Sequence, residues 1–130
     1  MERQVEDQDN NSVLIHCDDD LEYLQMFKHV LEKTFPGSTV LSYNSPLALL
    51  EGINDLPTPR AFICDHCMQP IDGVELLLAL EKQFPSVPKF LLSGMTFVSN
   101  PVQDFPNTHL LTKGMHLEQV LLTVKDLINL

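Results

Sequence analysis

Four short apolar runs in this sequence each end beside a side chain that could do chemistry. The runs are residues 13–17, 61–64, 90–92 and 110–111. The first is followed by Asp18 and Asp19, and the second by Asp65. Ser93 follows the third run, and Lys113 stands just after the fourth. Carboxylates at the ends of two runs predict one shared acidic pocket, and a pocket of like charges requires a cation.

The elements that must position these residues follow from the spacing of apolar side chains. The runs lack clean alternation, which is typical of strands buried on both faces. A further strand is predicted at 39–43, which is rich in β-formers. Helical spacing predicts helices from 21 to the Pro36-Gly37 break, from 46 to about 53, at 74–84 and at 117–130. Strands alternating with helices predict a parallel sheet, in which ligands bind outside the carboxyl ends of the strands.

The order of the five chemical residues resembles the receiver domain of bacterial two-component response regulators, across nearly the whole chain. The acid pair of that family corresponds to Asp18 and Asp19, and its phosphoacceptor to Asp65. Its Ser/Thr position corresponds to Ser93, and its lysine to Lys113. The helix phrase Asp-Gly-Val-Glu-Leu-Leu at 72–77 is also similar to the family's. The five residues carry the resemblance together and in order, since none of them is specific alone.

The resemblance implies an α/β three-layer sandwich of the flavodoxin-like type, with a five-stranded parallel sheet in the order 2-1-3-4-5. We expect residues 1–11 to form a flexible N-terminal lead and residues 12–130 to form one receiver domain. The family has a fourth helix between the positions of Ser93 and Lys113. Pro101 and Pro106 cannot both lie inside one regular helix there, so this helix is expected to be shortened or missing.

The chemistry that the resemblance implies is the formation of an aspartyl-phosphate on Asp65. Mg²⁺ would be held by one of the acid pair, by Asp65 and by the backbone carbonyl of Cys67, because oxygen ligands suit this ion. Lys113 would pair with one phosphoryl oxygen, and Ser93 would donate a hydrogen bond to another. Such a chain is a self-catalysed phosphoacceptor rather than an enzyme that turns over.

Three other positions bear on the lifetime and the output of that state. In receivers, the side chains two positions after the phosphoacceptor and two after the Ser/Thr flank the water that hydrolyses the phosphate. Here these are Cys67 and Met95, and neither can orient a water well, so slow hydrolysis is predicted. Leu110 stands in the place of the family's aromatic switch residue. The standard output mechanism is therefore not expected.

Composition and charge restrict the partners. The net charge is −10, whereas nucleic-acid binding and anionic membrane surfaces both favour a basic face. No apolar run approaches the roughly 20 residues of a membrane helix, and the polar, acidic start is unlike a signal peptide. Three cysteines fit a reducing compartment, so a cytoplasmic protein is expected. The implied partners are a sensor histidine kinase or histidine phosphotransfer protein and a downstream protein target, with neither nucleic acid nor membrane.

Three functions stay open on the sequence. The first is a stand-alone receiver that signals by partner binding or phosphorelay, because the chain ends with its last predicted helix. The second is a degenerate receiver that acts as an interaction module without phosphorylation, which the altered output positions favour. The third is a zinc or redox protein that uses Cys64 and Cys67, a C-x-x-C pair, with His16 and Cys17 on the neighbouring strand. Against the third, Cys64 is expected in the core and Cys67 in a loop.

Overall fold

Five parallel strands form one sheet, in the order β2-β1-β3-β4-β5. The computed structural model describes residues 12–94, 99–113 and 116–128. The strands are β1 (Val13–Cys17), β2 (Thr39–Tyr43), β3 (Ala61–Asp65), β4 (Lys89–Ser93) and β5 (Thr108–Thr112). The predicted strand order is confirmed, and every residue of β3 and β4 is buried, as the apolar runs predicted.

Helices cover both faces of the sheet and complete the three-layer sandwich. They are α1 (Leu21–Thr34), α2 (Pro46–Glu51), α3 (Gly73–Gln83) and α4 (Leu117–Ile128), with a 3₁₀ turn at Ile53–Asp55 after α2. Side chains of α1 and α4 pack into one core, around Phe27, Leu31 and Val124. Side chains of α2 and α3 pack into the other, around Leu49 and Leu77.

Polar side chains cap the starts of three helices. The Asp20 carboxylate accepts hydrogen bonds from the backbone N–H groups of Glu22 and Tyr23, and Ser45 accepts one from Ala48. Asp72 and Glu75 form a reciprocal capping box at the start of α3. α3 therefore begins at Gly73, one residue before the predicted start. The predicted helix from 46 to about 53 is an α-helix only to Glu51, because a 3₁₀ turn completes it.

The segment between β4 and β5 differs from a regular βαβ crossover. Residues 101–104 form turns, and no helix occurs within 99–107, the part of this segment that the structure describes. Pro101 and Pro106 account for this, because a proline inside a helix removes a hydrogen bond and clashes with the preceding turn. The predicted lead at 1–11 lies outside the described residues. None of the helices in the described ranges is long and apolar enough to cross a bilayer.

Candidate functional site

The carboxyl ends of β1 and β3 bring the predicted acidic residues together. Cys17 and Cys64 are paired in the sheet, so the residues that follow them, Asp18 and Asp65, stand side by side at the same edge. Asp18 is fixed by its own backbone, since its N–H donates to the Tyr43 carbonyl of β2 at 3.0 Å. Its side chain accepts a hydrogen bond from the Asp20 N–H at 2.9 Å. The start of α1 thus orients the first carboxylate.

Three carboxylates form a group that could hold a metal ion. Asp18, Asp19 and Asp65 each offer one oxygen, and these oxygens all lie within 4.8 Å of one another. Asp18 and Asp65 are buried, whereas Asp19 is exposed. Burial raises the pKa of Asp18 and of Asp65, because the charged forms lose water. Each buried carboxylate therefore gains from a nearby cation, and an all-oxygen set suits a hard divalent ion.

Lys113, at the end of β5, is the cation of this pocket. Its Nζ lies 2.6 Å from Oδ1 of Asp65 and 3.3 Å from Oδ2 of Asp18. Burial alone would lower the pKa of Lys113, but the two carboxylates more than offset this and raise it. The lysine is therefore firmly protonated. Among the described residues that line the pocket, Lys113 is the one cation, against the three carboxylates of this group and that of Asp20, which caps α1.

An aromatic ring supports the lysine from the other side. Nζ of Lys113 lies 4.2 Å from the centre of the Tyr23 ring, within the range of a cation–π contact. Tyr23 comes from the first turn of α1, and its ring also packs against Phe27 at 5.7 Å. Burial raises the pKa of the Tyr23 hydroxyl. The first turn of α1 therefore holds both Asp18 and the lysine that bridges to Asp65.

Ser93 ends β4, the strand on the other side of Asp65. Its neighbour Leu92 is paired with Asp65, and Ser93 is 2% exposed. Its Oγ lies 3.2 Å from Nδ1 of His66, the residue directly after Asp65. The residues that line the pocket include Gly94 but not Ser93; they are Asp18, Asp19, Asp20, Asp65, Cys67, Gly94 and Lys113. The Ser93 hydroxyl therefore contacts the His66 imidazole beside the pocket.

The loop between β3 and α3 is held close to the sheet by Gly73. The Gly73 N–H donates to the His66 carbonyl at 2.8 Å, and the His66 N–H donates to the Leu92 carbonyl at 2.9 Å. A Cβ added to Gly73 would clash with the carbonyl oxygen of Asp65 and would lie 2.7 Å from Leu91 Cδ1. Only glycine fits this approach of helix to strand. The backbone on both sides of Asp65 is thereby fixed.

The structure brings most of the predicted site residues together. Asp18, Asp19, Asp65, Cys67 and Lys113 line one pocket, and Ser93 contacts His66 beside it. Met95, the second predicted water-access position, lies outside the described residues.

The zinc or redox prediction finds no support among the described residues. Cys64 is fully buried, as expected on its strand, whereas Cys67 is exposed in the loop. Cys17 lies in the core with its thiol 3.7 Å from the Met68 sulfur. Burial raises the pKa of Cys17 to about 12, and it also raises that of Cys64 well above the usual range. Thiols held in the neutral form are poor metal ligands and poor nucleophiles.

Two residues that contact predicted site residues were not themselves predicted. Tyr23 stands four residues after Asp19, one turn into α1, and that spacing was a usable signal. His66 directly follows Asp65, so its backbone position could be predicted but not the direction of its ring. Both contact a predicted site residue without being acidic or basic ligands themselves.

Comparisons with known proteins give structural matches but no matches by sequence. No protein-family model matches the chain, and no curated protein matches it. The structural matches are extensive. A CheY-like response regulator receiver domain protein from Methanospirillum hungatei superposes with a TM-score of 0.78 at 21% identity, over 92% of this chain and 94% of that one.

Two bacterial structures give the same result. The receiver domain of a Francisella response regulator matches with a TM-score of 0.76 at 24% identity, over 92% of this chain and 98% of that one. The chemotaxis response regulator CheY4 of Vibrio cholerae matches with a TM-score of 0.77 at 21% identity, over 90% and 98%. The chain therefore has the CheY-like fold of response regulator receiver domains, as its resemblance to them implied.

Proposed function

We propose that this chain is a receiver that accepts a phosphoryl group on Asp65 in a Mg²⁺-dependent reaction and signals through the modified state. The observation that carries the proposal is the convergence of three carboxylates and one lysine at the carboxyl edge of a receiver-type sheet. Lys113 forms ion pairs with Asp18 and Asp65, and Asp19 adds a further carboxylate to the group. An acidic pocket in which the carboxylates outnumber the lysine is suited to a divalent cation.

The residues that would hold Mg²⁺ are Asp18, Asp19, Asp65 and the backbone carbonyl of Cys67. The fit rests on the donor set, because three carboxylate oxygens lie within 4.8 Å of one another and two belong to buried groups. When bound, the ion supplies charge neutralisation between these carboxylates and an incoming phosphoryl group.

The reaction follows from the positions of Asp65 and Lys113. A carboxylate oxygen of Asp65 attacks the phosphorus of a phosphohistidine, a P–O bond forms, and the P–N bond breaks. The electron pair of the P–N bond stays on the departing imidazole nitrogen. Lys113, 2.6 Å from Asp65, would then pair with a phosphoryl oxygen. Ser93 would donate a hydrogen bond to another oxygen once its hydroxyl turns toward the pocket.

The donor in this proposal is a sensor histidine kinase or a histidine phosphotransfer protein, and the output is contact with a downstream protein or onward transfer of the phosphoryl group. The net charge of −10 favours protein partners over nucleic acid or an anionic membrane. The cytoplasm, where such donors act, is the compartment that we propose.

Acetyl phosphate tests the proposal without a partner protein. The protein is incubated with acetyl phosphate and Mg²⁺, and its intact mass is measured. We expect one added phosphoryl group in the native protein and in the control Asp55→Asn, whose residue is exposed in the 3₁₀ turn after α2. Asp65→Asn and omission of Mg²⁺ should each abolish the increase. No increase in the native protein at any Mg²⁺ concentration would refute the proposal.

A second function, an interaction module that works without phosphorylation, is favoured by two features of the output side. The segment 99–107 has turns where other receivers have a helix, and Leu110 replaces the aromatic residue. This module predicts no mass increase and equal partner binding by the native protein and Asp65→Asn. We rank this module below the phosphoacceptor because Asp18, Asp19, Asp65, Ser93 and Lys113 are all present in the sequence.

A further inference from the structure

We propose that His66 holds the hydroxyl of Ser93 away from the pocket, so that formation of the phosphorylated state requires this hydrogen bond to break. The inference rests on the proposed function, since it concerns the Ser93 hydroxyl as a donor to the phosphoryl group. It assigns a role to the side chain directly after Asp65. His66 is then a positioning residue, because it acts through Ser93 and does not touch the reacting atoms.

The first support is geometric. Nδ1 of His66 lies 3.2 Å from Oγ of Ser93, and Ser93 is 2% exposed and absent from the residues that line the pocket. Nδ1 also lies 3.9 Å from Sγ of Cys67, a longer and weaker contact. Of these two contacts of the imidazole nitrogen, the one with the serine is the shorter.

The second support is the rigidity of the His66 backbone. Its N–H donates to Leu92 of β4 at 2.9 Å, and its carbonyl accepts from Gly73 of α3 at 2.8 Å. Both backbone polar groups are thus fixed by neighbouring elements. With the backbone held, the contact can break by rotation of a side chain and not by movement of the loop.

The third support is the chemistry of the hydroxyl. A serine carries one proton and can donate it to one acceptor at a time. The inference assigns to His66 the tautomer whose Nδ1 accepts this proton, and such a nitrogen competes with a phosphoryl oxygen for it. Removal of the nitrogen would remove this competitor for the proton of the hydroxyl.

Variants at His66 and Ser93 separate this role from a merely structural one. We measure the initial rate of phosphorylation by acetyl phosphate with intact mass, after thermal unfolding has verified that each variant folds. His66→Leu removes the nitrogen and should raise the rate about 2- to 10-fold, the factor that corresponds to one ordinary hydrogen bond. The same change made in Ser93→Ala should alter the rate by less than about 2-fold, because the partner is gone.

Two conservative variants test the position of the nitrogen. His66→Asn places an amide where Nδ1 stands and should keep a rate close to the native one. His66→Gln places its amide further out, nearer Nε2, and should behave like His66→Leu. In addition, ¹⁵N spectra of the imidazole should show the Nδ1 resonance of an acceptor in the unphosphorylated protein, and this resonance should change in Ser93→Ala.

The possible outcomes are distinct. A rate that falls in His66→Leu, or an equal effect in the presence and absence of Ser93, would overturn the inference while leaving the proposed function intact. If the native protein takes up no phosphoryl group, the proposed function fails instead. In that case the ¹⁵N spectra of native protein and Ser93→Ala still decide whether the hydrogen bond exists.

Discussion

The ammonium group of Lys113 lies 4.2 Å above the centre of the Tyr23 ring, while the same group reaches Asp65 at 2.6 Å. The lysine is therefore held between an aromatic face and a carboxylate. The ring attracts the cation electrostatically and shields it from water, which strengthens the ion pair on its other side. α1 therefore contributes to the site through Tyr23, although this residue is not one of the candidate metal ligands.

Replacement of Tyr23 tests this support. Tyr23→Phe keeps the ring and should change the free energy of unfolding by less than about 0.5 kcal/mol, the usual range for a neutral change. Tyr23→Leu loses the ring and should lower it by roughly 0.5–2 kcal/mol. In the Lys113→Met background the difference between the two should shrink. Urea unfolding measures all four proteins, and an unchanged difference in that background would show that the ring acts through packing alone.

Mg²⁺ should raise the melting temperature, because it binds the folded pocket and not the unfolded chain. At ten times its dissociation constant, the gain is about 1.4 kcal/mol. Asp65→Asn should weaken this gain and should stabilise the metal-free protein, since burial raises the pKa of Asp65 and disfavours its charge in the fold. Asp55→Asn serves as the control. Equal thermal shifts in Asp65→Asn and the control would contradict a metal site at Asp65.

His16 predicts a loss of stability in mild acid. Its ring stacks on Phe27 at 4.3 Å, and neither ring nitrogen has a hydrogen-bond partner in the part of the chain that the structure describes. Burial, with the nearby charge of Lys113, lowers its pKa from 6.5 to about 3. Between these values the unfolded chain binds more protons, so stability falls as the pH drops through this window.

The acid effect can be assigned to His16 by substitution. Lowering the pH from 7 to 5 should cost the native protein about 1–2 kcal/mol through this residue, and His16→Leu should remove that part. His29→Gln, at an exposed position on α1, should keep the native pH dependence. Unfolding free energies are measured for each protein at pH 7 and pH 5. If His16→Leu loses as much stability between the two pH values as the native protein, His16 is not the source of the acid effect.

Gly73→Ala should be strongly destabilising because its Cβ has no room beside Asp65 and Leu91. Overpacking of this kind costs about 1–3 kcal/mol and sometimes more. Gly52→Ala is the matched control, since its Cβ would lie 3.8 Å from the nearest atom. Urea unfolding should show a large loss at position 73 and a small change at 52. Comparable losses at both positions would mean that the contact with Asp65 is not limiting.

The phosphorylated state should decay slowly, because the exposed side chain of Cys67 on the pocket wall cannot orient a water well. Cys67→Asn supplies an amide at this position and should speed the decay about ten-fold. Leu78→Asn, exposed on α3, introduces the same side chain away from the pocket. Intact mass after removal of the donor measures the decay, and native-like decay in Cys67→Asn would show that this position does not control the water.

The apolar runs were sufficient to locate the strands and the carboxylates at their ends, because strands buried on both faces leave a clear apolar signal and their ends share one edge. The sheet order followed from the family resemblance. The sequence was not sufficient for contacts that depend on side-chain direction. The ring of His66 and the stacking of Tyr23 on Lys113 are of this kind. Lys89 is another case, since it starts β4 yet is fully buried, with its ammonium donating to the carbonyls of Phe84 and Val87. The sequence alone does not indicate whether a lysine in an apolar strand will find backbone carbonyls that accept its hydrogen bonds.

The tight contact of Gly73 with the end of β3 makes the two sides of the pocket mechanically unequal. At Gly73 there is no room even for a Cβ, so we expect the helix start and the backbone of Asp65 to move together. On the opposite side, a Cβ added to Gly94 would meet none of the described residues within 4 Å. We therefore expect a phosphoryl group on Asp65 to displace the end of β4 rather than the start of α3. We expect a partner that distinguishes the two states to read the surface around Gly94 and residues 99–107, and to be indifferent to α3.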